Sequence, residues 1–271
     1  MLRDKLIGHH ESRRAWKPHE FRWRSREISR LEGLSDAVFG FAITLLIVAL
    51  EVPRTSEELL QTMRGFVAFA LTFSILYLFW YRQFVFFRRY GLEDGVTVAL
   101  NGALLFVVLF FVFPLKFLIG AFVDWIVWGQ RTVRLPGGAV EKIIRPENFA
   151  LMLGIYGMGF MAVFGLFALL YTHAYRKRHE LELNELERLD TLQAIQTFGS
   201  AAVVSLFTPL YALLSALVKG KPYEEKALLA ATGILLLCVV SITRLRVRRR
   251  RRRRELVERM AALVEESAGQ S

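Results

Sequence analysis

The 271-residue chain has few of the residues and motifs from which enzymes and metal sites are commonly built. Its one cysteine, Cys238, lies in an apolar run and excludes an intramolecular disulfide. Its five histidines include no pair with the spacing of a zinc-binding helix, and there is no Walker loop, dinucleotide glycine motif or G-x-S-x-G elbow. These absences predict a protein that is not an enzyme and holds no cofactor or metal.

Two signatures of familiar membrane proteins are also missing. The chain has neither a T-V-G-Y-G filter loop nor the arginine-every-third-residue pattern of a voltage sensor. Residues 1–32 are charged and contain no apolar core, so we expect no cleavable signal peptide. The first apolar run would therefore have to direct membrane insertion.

Apolar sequence is what the chain has in quantity. Hydrophobic residues make up 54% of it, 22 of them are Phe, and the mean hydropathy is +0.35. These residues form runs of roughly 20, the length that crosses a hydrocarbon core. We therefore predict an all-α, polytopic membrane protein with six transmembrane spans, at approximately 33–51, 65–87, 96–115, 149–173, 195–218 and 225–243.

Basic residues predict the orientation in the membrane. Six spans place both termini on one side, and most of the 36 Lys and Arg residues fall on that side. Because such residues accumulate in cytoplasmic loops, both termini are expected in the cytoplasm, with the chain in the cell (inner) membrane. The expected parts are a basic N-terminal arm at 1–32, a six-helix transmembrane domain at 33–243, and an Arg-rich tail with a short amphipathic helix at 244–271.

Seven consecutive arginines, Arg248 to Arg254, follow the last span. They are predicted to lie against anionic lipid headgroups and to keep the C-terminus in the cytoplasm. The net charge of +11 raises nucleic-acid binding as an alternative. Because basic clusters beside a membrane helix commonly stop transfer, we expect no nucleic-acid partner.

Two connections between spans are long enough to carry structure of their own. The longest lies on the outside at 116–148, beyond Pro114, and has room for a short interfacial helix. The connection at 176–191 has mixed charge and predicts a solvated cytoplasmic helical arm. His173, near its start, is interpreted as an interfacial residue. Small residues along the fourth span allow close helix packing, most simply within one chain.

The first span is the most specific part of the sequence, because its start carries Arg30, Glu32, Ser35 and Asp36. Ionisable groups near membrane depth are costly and are usually functional. Ser35 or Asp36 could cap the helix N-terminus. Asp36 could also pair with Arg30, or with Arg82 at the end of the second span, since an unpaired buried charge is expensive. Capping and pairing are compatible.

Helical periodicity defines a second feature of the same span. At 100° per residue, one stripe contains Ala37, Phe41, Thr44 or Leu45, and Val48. The pattern of this span occurs only once in the sequence. A pore on a symmetry axis would therefore require several copies of the chain.

Arg30-x4-Ser35-Asp36, followed by AVFGFAITLLIVALEVP, resembles the R-x-x-x-F-S-D signature that opens the transmembrane protein 175 family. The Trp-bearing end of the second span, and Asn101 with the LLFVVLFFVFP that comes after it, are also similar to that family. The family comprises the endolysosomal potassium channel of animals and shorter prokaryotic homologues. The resemblance implies a homotetramer of six-helix subunits whose first helices line an axial pore.

The resemblance also implies which residues line that pore. They are Phe41, Thr44 and Val48, with Leu45 as a neighbouring candidate. Thr44 would offer a ring of hydroxyls to a transient, partly dehydrated potassium ion. Phe41 and Val48 would supply dewetting constrictions.

A polar network that positions the first helix is the other feature implied by the family. Its positions here are Arg30, Ser35, Asp36, Trp80 and Gln83. The family's W-x-x-H-H pattern on the second helix reads W-Y-R-Q-F in this chain, so both histidines are absent. Gln83 can donate and accept hydrogen bonds but cannot titrate, so a pH response based on that histidine does not carry over.

The expected function is passive conduction of potassium, selective or weakly selective, through a hydrophobic constriction on the first span. Two alternatives stay open. A secondary or proton-coupled transporter would need interrupted helices with an intramembrane acid in each half of the chain. A non-conducting membrane scaffold would act through lipid or partner binding by Arg248–Arg254.

Overall fold

The computed structural model describes residues 21–25, 27–48, 54–127, 129, 132–134, 140–144 and 146–217. This part of the chain contains five helices that are long and apolar enough to cross a membrane. The sixth span expected at 225–243, the run Arg248–Arg254 and the tail helix lie outside the described residues. The helices are α1 (Arg30–Val48), α2 (Ser56–Tyr90), α3 (Gly95–Ile126), α4 (Pro146–Arg176) and α5 (Glu185–Leu217).

Helix α1 begins earlier than its apolar run, because Ser29 and Glu32 form a capping box. Ser29 Oγ accepts a hydrogen bond from the Glu32 amide at 3.1 Å, and Glu32 Oε2 accepts one from the Ser29 amide at 3.0 Å. The expectation that Ser35 or Asp36 caps this helix is therefore wrong. Both residues lie inside the helix, where their side chains are available for contacts with other helices.

A tight connection joins α2 to α3. Gly91 ends α2 in the left-handed conformation, at φ 59°, and its amide donates to the Phe87 carbonyl at 2.8 Å. Asp94 then caps α3, accepting a hydrogen bond from the Thr97 amide at 2.9 Å. The two helices consequently run antiparallel, and Trp80 and Asn101 come to lie at similar depth.

Helix α3 continues through Pro114 to Ile126, about three turns beyond the expected end of the third span at 115. A proline removes one helical hydrogen bond, but neighbouring helices can hold such a segment together. Val112 and Leu115, on either side of the proline, are both fully buried. Packing therefore carries the helix past the residue that local sequence rules would make its end.

Between α3 and the start of α4, the described part of the 116–148 connection contains two short paired strands and no further helix. Strand β1 (Thr132–Arg134) pairs antiparallel with β2 (Val140–Lys142), with Val133 opposite Glu141. The mostly helical fold class is confirmed, with this small two-stranded sheet added to it. Strands of three residues are too short for alternation to be visible in the sequence.

Helix α3 lies at the centre of the bundle, against α1, α2 and α4, while α4 packs along α5. The small residues of α4 make the closest approaches. A side chain added at Gly157 would overlap Thr208 and Pro209 of α5, and one added at Gly159 would overlap the Phe111 ring of α3. These glycines pack within the chain.

The segment 176–191 is not the solvated arm that its charges suggest. Helix α5 begins within it, at Glu185, and Glu187 and Thr191 are 1% and 0% exposed. Tyr90 at the end of α2 shares a hydrogen bond of 2.7 Å with Thr191. The segment therefore packs onto the end of the bundle at which α1, α3 and α5 begin, which we call the basal end.

Candidate pore helix and its supporting network

Helix α1 buries one face completely and leaves the other open. The buried residues are Glu32, Ser35, Phe39, Ala42 and Leu46, at intervals of three or four. Within the single chain, the opposite face carries Phe41 at 57% and Val48 at 72% exposure. Thr44 is exposed between them, and Leu45 is half-buried at the border. The stripe expected from periodicity therefore lies on the face of α1 that this chain does not cover.

The Thr44 hydroxyl has a defined orientation. Its Oγ1 donates to the Gly40 carbonyl at 2.9 Å, within α1. A hydroxyl has one hydrogen and two lone pairs, so this bond leaves the oxygen free to accept. Thr44 thus presents a hydroxyl oxygen that can accept a hydrogen bond, between two apolar residues about one turn away on each side.

A buried relay of side-chain hydrogen bonds joins α1 to α2 and α3. Gln83 Nε2 donates to Asn101 Oδ1, and Asn101 Nδ2 donates to Ser35 Oγ at 2.9 Å. Ser35 Oγ donates in turn to the Leu31 carbonyl at 2.7 Å. The three side chains are at most 2% exposed. These bonds join buried polar groups of three helices, which makes the relative placement of the helices specific.

A tryptophan of α2 donates a hydrogen bond to the Asp36 carboxylate of α1. Trp80 Nε1 donates to Asp36 Oδ1 at 2.7 Å. The expectation that Asp36 pairs with an arginine is wrong for the described residues, in which Arg30 and Arg82 are both exposed and neither bonds to it. The structure therefore brings together Ser35, Asp36, Trp80 and Gln83, and it does not bring Arg30 to them.

Asn101 belongs to this site, although the sequence analysis predicts no role for it. It is 0% exposed and bonds to both other members of the relay. The sequence signal is an amide in the first turns of the third apolar span, at a depth similar to that of Ser35 in the first span. A buried amide needs partners from other helices, so the two positions were candidates for a contact.

Arg88 is a second such residue. Its Nε lies 3.9 Å from Glu32 Oε1, and Glu32 is only 6% exposed. A cavity of about 130 Å³ between α1 and α2 is lined by these two residues and by Asp36, Trp80 and Gln83, among others. Arg88 thus offsets the charge of Glu32, a pairing that the sequence analysis does not predict.

Asp94 joins the start of α3 to the end of α4. Its Oδ2 lies 2.8 Å from His173 Nε2 and 2.9 Å from Lys177 Nζ. Partial burial raises the pKa of the Asp94 carboxyl, but hydrogen bonds from His173, Lys177 and the Thr97 amide outweigh burial and hold it well below its usual range. His173 thus has a defined partner instead of a general place at an interface.

Comparison with known proteins connects this arrangement to a family. The model of the endosomal/lysosomal potassium channel TMEM175 family matches residues 30–112. A protein of Marivirga tractuosa named potassium channel is 36% identical over 198 residues, which cover 73% of this chain and 78% of that protein. The chain belongs to the TMEM175 family. The resemblance carried by the first span is confirmed.

Two further comparisons extend along the chain. A crystal structure of a variant of the potassium channel MtTMEM175, bound to a nanobody–MBP fusion protein, has a TM-score of 0.70 and 30% identity, covering 84% of this chain and 97% of that one. A potassium channel of Chamaesiphon minutus is 26% identical over 55% of this chain and 66% of its own length. The chain is thus a multi-pass membrane protein with the TMEM175 fold.

The part matched by the TMEM175 family model is also the part that holds the site. Residues 30–112 comprise α1, α2 and the first half of α3, and so contain every member of the relay and the Trp80–Asp36 bond. In this TMEM175 chain, an amide of Gln83 occupies a position where the family pattern has histidine. The relay is therefore built without a group that titrates near neutral pH.

Proposed function

We propose that the chain is a passive potassium channel, not an enzyme, that acts as a homotetramer around a pore lined by α1. Its relatives are named potassium channels, and it belongs to their family. The observation that supports the proposal most directly is the difference between the two faces of α1. One face is fixed by the polar relay, and the other presents Phe41, Thr44 and Val48 outside the single chain.

Several copies are needed because each chain contributes one such helix. Rotation about a common axis would bring the same stripe from every subunit to the centre. Four copies agree with the family resemblance. Arg30, exposed at the basal end, would then lie near a neighbouring subunit. We place both termini in the cytoplasm of a cell (inner) membrane, with Arg248–Arg254 on anionic lipid headgroups.

In this arrangement Thr44 and its neighbours have different tasks. A ring of Thr44 oxygens replaces part of the hydration of a potassium ion, since each hydroxyl already donates to its own helix. The rings of Phe41 and Val48 narrow the path and expel water when they close. Leu45, half-buried beside them, sets the width behind the threonine ring. Potassium then moves down its electrochemical gradient without coupling to another solute.

Proteoliposomes with a potassium gradient and external sodium provide the test, at two pH values. Phe41→Ala should raise the flux because it widens a constriction, and Thr44→Ala should reduce the preference for potassium over sodium. Matched controls are Phe106→Ala, since Phe106 is 70% exposed on α3, and Thr62→Ala, since Thr62 makes the same intrahelical bond to Glu58 at 2.9 Å. Val48→Ala should act like Phe41→Ala.

Two results would contradict the proposal. One is a chain that moves no potassium, or that responds to the α1 variants no more than to their controls. The other is potassium movement against its gradient when a proton gradient is imposed, which is the behaviour of a coupled transporter.

A further inference from the structure

The residues just before α1 form a bonded segment, residues 21–25, which we call the strap. The Arg24 amide donates to the Arg88 carbonyl at 3.0 Å, and its guanidinium donates to the Arg89 carbonyl at 3.2 Å. The Phe21 ring meets the edge of Tyr90 at 5.5 Å between centroids. The strap is therefore attached to the last turn of α2 through backbone and side chains together.

The other side of the strap is attached to the start of α5 through Glu187. This carboxylate is 1% exposed, and its Oε2 accepts a hydrogen bond of 2.7 Å from Arg24 Nη2. Its Oε1 accepts one of 2.9 Å from the Arg22 amide, and the Asn184 amide donates to Oε2 at 3.1 Å. Arg24 Nε donates to the Leu181 carbonyl at 3.0 Å. The Arg24 side chain is 17% exposed, so the ion pair is partly buried, and both members have their polar groups largely satisfied, as a carboxylate removed from water requires.

This ion pair joins α5 to a part of the bundle that its backbone does not otherwise approach. Among the described helices, the backbone of α5 approaches only that of α4, whereas α1, α2 and α3 pack on one another. The Arg24–Glu187 pair and the Tyr90–Thr191 hydrogen bond connect the start of α5 to the strap and to the end of α2. Movement of α5 relative to α2 must therefore strain these bonds.

The strap also leads directly into the pore helix. A few positions after Ser25, the chain forms the capping box at Ser29 and enters α1. Arg88 donates to the Ser25 carbonyl at 3.4 Å and lies beside Glu32 of the capping box, at 3.9 Å. A displacement of the strap would thus reach the start of α1 through the backbone and through Arg88.

We propose that Arg24 and Glu187 are positioning residues for the pore helix, and that their ion pair holds α1 in its conducting position. The proposal rests on the proposed channel function. Neither residue lies near the stripe on α1, so the pair acts on the fraction of time the pore is open and not on the conductance of the open pore. A structural role alone would lower the yield of folded channels and leave their opening unchanged.

Single-channel recording in planar bilayers separates these two roles. Arg24→Gln and Glu187→Gln should each reduce open probability roughly tenfold, with unitary conductance and potassium preference unchanged. The double variant should lose no more than either single variant, because one interaction is lost in all three. Arg24→Lys, which keeps the charge but not the forked geometry, should give an intermediate value.

Arg22→Gln is the matched control. The Arg22 side chain lies 3.6 Å from the same carboxylate and donates to the Glu182 carbonyl at 2.7 Å, but it is 42% exposed, so water can replace its bonds. Its backbone amide bond to Glu187 survives the substitution. It should open like the unmodified channel. Wild-type open probability in both single variants would overturn the inference and leave the channel function standing. If the unmodified chain showed no channel openings, the result would instead contradict the proposed function, and the inference with it.

Hydrogen–deuterium exchange tests the inference without recording conduction, so it also applies to variants that yield few channels. In purified protein, amides of residues 30–36 should exchange faster in Arg24→Lys than in Arg22→Gln, because the start of α1 has lost its anchor. Equal exchange rates in the two variants would overturn the inference without reference to conduction.

Discussion

The relay of Gln83, Asn101 and Ser35 makes a quantitative prediction about how α1 is held. Asn101→Leu replaces the amide by an apolar group of nearly the same shape. It leaves the Gln83 amide without its acceptor in a site where Gln83 is 1% exposed. An orphaned buried polar group costs about 1–3 kcal/mol. Ser35 keeps its bond to the Leu31 carbonyl, so the loss falls mainly on Gln83.

The reverse perturbation, Gln83→Met, leaves Asn101 Oδ1 without a donor and should cost a similar amount, again about 1–3 kcal/mol. The double variant has no orphaned amide, because both partners are gone. Its free energy of unfolding should therefore fall by less than the sum of the two single losses. We expect a coupling energy of about 2 kcal/mol, the size found for residues that share one network.

The assay is unfolding of the purified protein in mixed micelles by increasing SDS, followed by circular dichroism. Thr72→Val serves as control, because Thr72 is 0% exposed but bonds only to the Ala68 carbonyl of its own helix, at 2.8 Å. Its loss should be about 1 kcal/mol or less. Additive single losses, or losses no larger than that of the control, would refute the reasoning that the relay ties α1 to its neighbours.

Three further predictions concern other contacts of the bundle. Trp80→Phe removes the indole donor at 2.7 Å from Asp36 and should lower the free energy of unfolding in the same assay by about 0.5–1.5 kcal/mol, since Asp36 is exposed and water can replace the donor. Gly159→Ala should destabilise α4 packing by about 1–3 kcal/mol, whereas Gly165→Ala, which meets nothing within 4 Å, should be neutral or stabilising. Asp94→Asn keeps a capping side chain but loses the ion pairs. Because the pKa of Asp94 is depressed on folding, the wild-type advantage should be complete above about pH 4 and shrink as pH falls further, in unfolding midpoints measured against pH.

The five described spans were predictable because each contains a long apolar run, and such runs have few alternatives to a membrane helix. The stripe of Phe41, Thr44 and Val48 was predictable for a related reason. Helical periodicity alone places these residues on one face, and no tertiary contact can change that. Their role in conduction stays a prediction for the flux experiments.

Helix boundaries were harder to predict because several signals competed. The Ser29-x-x-Glu32 capping box could be read from the sequence, but Ser35 and Asp36 offered equally good capping residues closer to the apolar run. Pro114 suggested a helix end, and only the burial of residues around it explains why the helix continues.

Pairings between distant residues were the least predictable part. Glu187 stands in a segment of mixed charge that resembles solvated sequence, and its partner Arg24 belongs to a strongly basic arm. Composition cannot reveal which charges in such segments are buried together. The Trp80–Asp36 contact was expected only because of the family resemblance, since the two residues are 44 positions apart.

The strap has a consequence for the order in which the protein is made. Arg24 leaves the ribosome before any of the five helices, whereas Glu187 follows 163 positions later, after four of them. A nascent chain can therefore insert α1 long before the Arg24–Glu187 pair is available. Until α5 is made, the strap is attached only to the end of α2, so its second attachment comes after the first four helices. A chain that stalls before α5 would carry the complete stripe of α1 with only the α2 side of the strap in place.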